Sequence, residues 1–177
     1  MHSIYHDSIV IDGLNVSNWE SEQALKGVYD GRVTAINATT AIFENYNEAM
    51  DNISGWYRRF HAHPDMLTQI TFVQDIHDAK RDGKSGVIFG WQNASPIEND
   101  LDRIEQFKIL GVRIIQITYN ERNLIGNGCY ERNDDGLSNF GRDAVREMNR
   151  LGILIDLSHV GDRTTLEAAD LSNKPVA

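Results

Sequence analysis

Apolar positions along the chain fall into short, nearly continuous runs at residues 8–11, 33–37, 67–73, 86–89, 112–118 and 153–157. Half-buried strands would alternate apolar and polar side chains. Unbroken runs rich in Val and Ile predict parallel strands covered on both faces. Lys174-Pro175-Val176 predicts the start of a seventh strand. Between these runs the apolar spacing becomes helical. Met50, Ile53, Tyr57 and Phe60 share one face, with Pro64 beyond them as a stop, and Leu101, Ile104 and Leu110 recur likewise. Ser138 is placed to cap a helix that turns Phe140, Ala144, Val145, Met148 and Leu151 inward, with Gly152 just past its end. Asp162 is placed to cap a last helix burying Leu166, Ala169 and Leu171. The alternation is βαβα, which leaves two architectures: a doubly wound sheet or part of a (β/α)8 barrel.

In either architecture sites are built at the C-terminal ends of strands. Four such ends carry polar groups: Asp12-Gly13-Leu14-Asn15, Gln92-Asn93, Tyr119-Asn120 and Ser158-His159. An imidazole at the mouth of a buried strand can bind a metal or move a proton, which singles out His159. About twenty residues rich in Asn, Gly and charge follow Thr118, and a loop of that length is either functional or mobile. It carries Cys129, Tyr130 and Glu131 as candidate substrate contacts; the alternative for Cys129 is a small buried hydrophobe.

Other signals are weaker. Gly126-Asn127-Gly128 lacks the third glycine and the helix of a dinucleotide site and reads as a flexible loop. Without a phosphate-binding turn, a doubly wound cofactor-binding domain loses its support. Gly83-Lys84-Ser85 reads as a helix-to-strand turn. There is no Gly-x-Ser-x-Gly elbow and no His-Glu-x-x-His pair. His2 and His6 lie near the start, His61 and His63 face apart at a helix end, and nothing converges on His77.

Composition narrows the partners. The 17 basic residues are outnumbered by 26 acidic ones, a net charge of −9, and no basic cluster is longer than a pair such as Arg58-Arg59. Such a chain repels phosphate backbones, so no nucleic-acid partner is expected. No apolar run approaches the ~20 residues of a membrane span, and the opening residues predict no secretory signal. A single cysteine excludes an internal disulfide and fits a cytoplasmic protein. The length of 177 residues suits one domain, yet Ala177 falls inside a predicted strand, so the expectation is the N-terminal portion of something longer.

Phe140-Gly141-Arg142, Arg146-Glu147-Met148-Asn149-Arg150-Leu151-Gly152 and Ile155-Asp156-Leu157-Ser158-His159-Val160 resemble the membrane dipeptidase (renal dipeptidase) family. Gly111-Val112-Arg113 and Ile11-Asp12-Gly13 extend the resemblance to nearly the whole chain. It implies an α/β fold, the N-terminal part of a metal-dependent-hydrolase (β/α)8 TIM barrel. Residues 1–177 would be one incomplete barrel domain, with the remaining strands beyond. It also implies two zinc ions that share a bridging water and cleave dipeptides.

Position by position, the ligands diverge. The family's His-x-Asp pair falls on Leu14 and Val16, its bridging glutamate on Gln92 and its substrate-contacting histidine on Tyr119; His159 alone matches a ligand. An amide oxygen is a poor substitute for a carboxylate holding two cations. The expectation is a divergent bacterial-type branch with zinc or another divalent metal at zero or one per chain. It would hydrolyse small peptide or amide bonds, with Gln92, Asn93, Tyr119, Asn120, Cys129, Tyr130 and Glu131 around the substrate. The alternative is a non-catalytic relative that binds a small polar ligand. A homodimer is the assembly to look for.

Overall fold

The computed structural model describes residues 4–177; His2 lies outside the described residues. The chain runs α1 (Ile4–Asp7), β1 (Ile11–Asn15), α2 (Glu22–Asp30), β2 (Ala35–Ala41), α3 (Tyr46–Ala62), β3 (Leu67–Gln69), α4 (Val73–Asp82) and β4 (Ser85–Trp91). After a 3-10 turn at Ser95–Ile97 come α5 (Asp102–Ile109), β5 (Val112–Gln116), α6 (Asn139–Leu151), β6 (Leu154–Asp156) and α7 (Asp162–Leu171). Among the described residues no helix is long and apolar enough to cross a membrane.

The chain divides into two compact units, one of residues up to Thr39 with Ser54–Phe89, the other of Thr40–Ile53 with Gly90–Ala177. In the first, β1 pairs parallel with β2 (Ile11 opposite Ala35), and β3 pairs parallel with β4 (Leu67 opposite Ser85). Gly86 N–H donates to Thr34 O at 2.8 Å, tying β4 to the start of β2. The core is aromatic: Trp56 lies 5.2 Å from Trp19 and 6.2 Å from Phe89, and Phe60 stacks on Phe89 at 6.1 Å. Such pairs contribute about 1 kcal/mol each beyond their burial.

In the second unit the tails of β2 and β4 stay paired, Gln92 N–H donating to Ala41 O at 2.9 Å. There β5 pairs parallel with β6 (Ile115 opposite Ile155), and Val176 makes one parallel bridge to Ile155 where the seventh strand was expected. Trp91 meets Phe107 edge-on at 4.6 Å, and Ile104, Ile115, Val145 and Met148 of this unit are fully buried.

Helix α6 follows the expectation: Ser138 Oγ accepts from Gly141 N–H at 2.9 Å, and Gly152 ends the helix left-handed at φ 69°. Other elements differ. Strand β1 begins at Ile11, not residue 8, because its register is set by pairing with Ala35 and Ile36. The third strand stops at Gln69, since the Asp75 carboxylate accepts from the N–H groups of Thr71 (2.7 Å) and Phe72 (2.8 Å) and starts α4 at Val73. The last helix buries Thr164 and Ala168, while Leu166 is exposed; Asp162 is its first residue and not its cap.

Candidate active site

Residues 117–138 contain no helix or strand, yet part of the run is buried. Ile125, Gly126, Asn127 and Gly128 are buried, which corrects the flexible-loop reading. Asn127 explains why. Its N–H donates to Thr164 Oγ1 (3.2 Å) and its amide to Gly136 O (3.2 Å). Its side-chain oxygen accepts from Arg122 (2.7 Å), and its carbonyl accepts from Gly161 (2.8 Å). A buried amide with every group paired fixes the chain around it.

The cap of α7 comes from this loop. Asp134 Oδ2 accepts from the N–H groups of Arg163 (2.6 Å) and Thr164 (3.1 Å), and Oδ1 from Thr164 Oγ1 (2.7 Å) and Gly136 N–H (3.0 Å). Partial burial opposes the charge, but these hydrogen bonds outweigh it and hold the Asp134 carboxyl below the ordinary aspartate range. In return, Glu167 of α7 accepts from Leu137 N–H of the loop at 3.0 Å. That bond, then Arg163 beside it, lowers the Glu167 carboxyl likewise.

The loop delivers side chains to the end of β6. Cys129 N–H donates to His159 O at 3.0 Å, Gly128 bridges Val160 antiparallel, and Tyr130 N–H donates to Asn120 O at 2.8 Å. A Cβ on Gly128 would overlap the backbone of Asn120, so only glycine permits this approach. Asn120 and His159 both sit left-handed, at φ 61° and 59°. Asn120 Oδ1 lies 2.9 Å from His159 Nδ1 and accepts from Cys129 Sγ at 3.6 Å. The Tyr119 ring packs on the His159 ring at 4.7 Å, and exposed Phe43 meets Tyr119 edge-on at 5.6 Å. Left-handed backbone at two paired polar side chains marks this strand end as the candidate site.

Four of the expected residues therefore meet: Tyr119, Asn120, Cys129 and His159. Cys129 is exposed, which removes the buried-hydrophobe alternative. The others have separate surroundings. Gln92 is buried just past β4, and Asn93 Oδ1 accepts from Asn123 Nδ2 at 2.8 Å. Glu131 accepts from Arg122 N–H at 2.8 Å, and with exposed Tyr130 it lines a recess of about 520 Å³ shared with Glu121, Arg122, Arg132 and Asn133. Phe43 was missed, because an aromatic two residues past β2 has no sequence signal of its own. Asp134 was missed because its helix lies 28 positions or more further along the chain.

The end of β1 is simpler. Asp12 accepts from Leu14 N–H (3.2 Å) and Asn15 Nδ2 (2.8 Å), while Leu14 and Val16 are exposed. A cavity of about 620 Å³ near Arg32, Thr34, Lys84 and Ser85 lies at the N-terminal start of β4, the opposite end of that strand from Gln92.

The family model for the membrane dipeptidases (peptidase family M19) matches residues 8–177. The chain belongs to that family. An uncharacterized dipeptidase of Schizosaccharomyces pombe is 34% identical over 115 residues, 60% of this chain and 28% of that protein. An amidohydrolase structure from Pseudomonas aeruginosa is 43% identical with a TM-score of 0.94, covering 97% of this chain and 52% of that one. A metallopeptidase from Rhodobacter sphaeroides, bound to a phosphinate mimic of L-Ala-D-Ala, shares the fold at 18% identity. Its TM-score is 0.82 over 94% of this chain and 63% of that one. This chain of the M19 family thus spans about half the length of the amidohydrolase it matches, and less of the curated relative. Its architecture is the α/β parallel N-terminal part of the M19 barrel, which decides between the two architectures left open by the strand pattern.

Proposed function

We propose that the protein is a hydrolase of small C–N bonds from a divergent branch of the M19 family, working with at most one divalent metal, zinc or another. The donor set carries this reading. The positions resembling the family's His-x-Asp pair hold exposed hydrocarbon in Leu14 and Val16, and Gln92 offers a buried amide in place of a carboxylate. Among the described residues no three His, Cys, Asp or Glu side chains gather. The residues present do not fit a two-zinc centre, and they do not complete a one-metal centre unaided. His159 is the donor this chain would bring; a bound ion would polarise a carbonyl or activate water. Tyr119, Asn120 and Cys129 flank that imidazole as substrate contacts, with Gln92, Asn93, Tyr130 and Glu131 further along the same strand ends and loop. The dipeptide mimic bound by the Rhodobacter sphaeroides metallopeptidase names the first substrate class to try.

Elemental analysis of the complete protein, with turnover on a panel of dipeptides and N-acyl amino acids, tests the reading. The expected result is one metal or less per chain, with metal content and turnover both lost in His159→Ala. Two zinc ions per chain, or a His159→Ala protein with unchanged metal and activity, would overturn it. The replaced ligands also favour a second reading, a non-catalytic relative that binds a small polar ligand. That protein would show no metal and no turnover, but thermal stabilisation by its ligand.

A further inference from the structure

We propose that Asn120 is a positioning residue that locks His159 as the Nδ1–H tautomer and presents Nε2 as the lone-pair nitrogen of the site. The argument begins with the acceptor. Asn120 Oδ1 lies 2.9 Å from His159 Nδ1, and a carboxamide oxygen only accepts hydrogen bonds. In the neutral ring Nδ1 must therefore carry the proton, which leaves Nε2 bare. The same oxygen receives the Cys129 thiol at 3.6 Å, so two donors from separate segments converge on one acceptor.

The backbone on either side of this contact is tightly held. Its φ of 61° is a left-handed conformation that asparagine tolerates better than most residues. Its carbonyl is taken by Tyr130 N–H at 2.8 Å, and Gly128 leaves no slack against it. His159 is held from the other side: its own φ is 59°, its carbonyl accepts from Cys129 N–H, and its ring lies 4.7 Å from that of Tyr119. With the two backbones held and the Cys129 thiol directed at the same Oδ1, the choice of tautomer follows from the contact between carboxamide and ring. An imidazole whose far nitrogen is oriented in this way is prepared as a metal donor or proton acceptor.

The use made of Nε2 rests on the hydrolase reading, but the tautomer does not. It is read in the metal-free protein by two-bond 1H–15N correlation spectra of histidine-labelled chain, well above the imidazole pKa, with His159→Ala identifying the signals. The expected wild-type pattern is one Nδ1–H tautomer for His159. Asn120→Gly keeps the left-handed backbone at no steric cost and removes the acceptor, so His159 should fall to the mixed tautomers of a free imidazole. Asn120→Asp retains an acceptor and should keep Nδ1–H. A wild-type His159 in the Nε2–H form, or an unchanged tautomer in Asn120→Gly, would overturn the proposal. Because no turnover is measured, failure of the hydrolase reading would leave this result standing.

Discussion

The ends of β1 and β6 carry the same kind of sequence signal and are built in opposite ways. At β1 most of the polar groups satisfy one another locally. Asp12 takes the N–H of Leu14 and the amide of Asn15, Asn15 takes the N–H of Ser17, and Asn37 reaches across to Gly13 O at 2.9 Å. At β6 a similar local turn, Ser158 N–H to Asp156 Oδ1 at 2.8 Å, is joined by several long-range bonds. His159 is bound to Cys129 and Asn120, Gly161 to Asn127, and the helix that follows is capped by Asp134. A strand end becomes a site when distant segments are tied to it; a self-contained turn leaves its side chains free to change.

Substitutions can test that contrast. The largest effect is expected at Gly128→Ala, where the added methyl overlaps Asn120 backbone that cannot move aside. Overpacking of this kind should cost about 3 kcal/mol in urea denaturation. A loss no greater than that of an ordinary surface change would show that the β6 end is as permissive as the β1 end.

Asp134→Ala should rank second, at about 2 kcal/mol, because it strips the N-terminus of α7 of its cap and leaves Thr164 Oγ1 without its acceptor. The effect is pH-dependent. A carboxyl held below its unfolded value stabilises the fold fully above the ordinary aspartate value of 3.8. That contribution disappears as pH falls below this value and through the lowered folded-state pKa. Thermal melts of wild type and Asp134→Ala should therefore differ at neutral pH and converge in acid. A constant gap down to the acid limit would exclude the charged cap.

The smallest effect belongs to β1. Leu14→His combined with Val16→Asp recreates the spacing of the family's first ligand pair on two exposed positions, and should shift stability by less than about 0.5 kcal/mol. A large loss in the same denaturation assay would reveal packing duties for those hydrocarbon side chains.

What the sequence made legible follows the same division. Helix α6 was readable because cap, apolar stripe and stop lie within one stretch, from Ser138 to Gly152. His159 and Asn120 were readable as polar residues closing apolar strands. Strand β1 was misplaced because Gly13 and Asn15 interrupt its apolar run, while its true register depends on Ala35 and Ile36. The run through Ile70-Thr71-Phe72-Val73 looked like a strand because one carboxylate, Asp75, decides where the helix starts. The loop gave no periodic signal at all. Its order comes from Asn127 and Asp134, both of which bond Thr164 of α7.

The exchange of acids between that loop and α7 also sets an order in time. Asn127 and Thr164 are 37 positions apart, and the N–H of Asn127 and the hydroxyl of Thr164 depend on each other and on Asp134. Contacts of such separation form late, after the loop-closure entropy has been met. During synthesis from the N-terminus, β5 and the loop emerge well before α7. Asn120 can bond Tyr130 and Cys129 within the loop, but His159 joins them only once the end of β6 has been made, so the imidazole pocket is expected to close late.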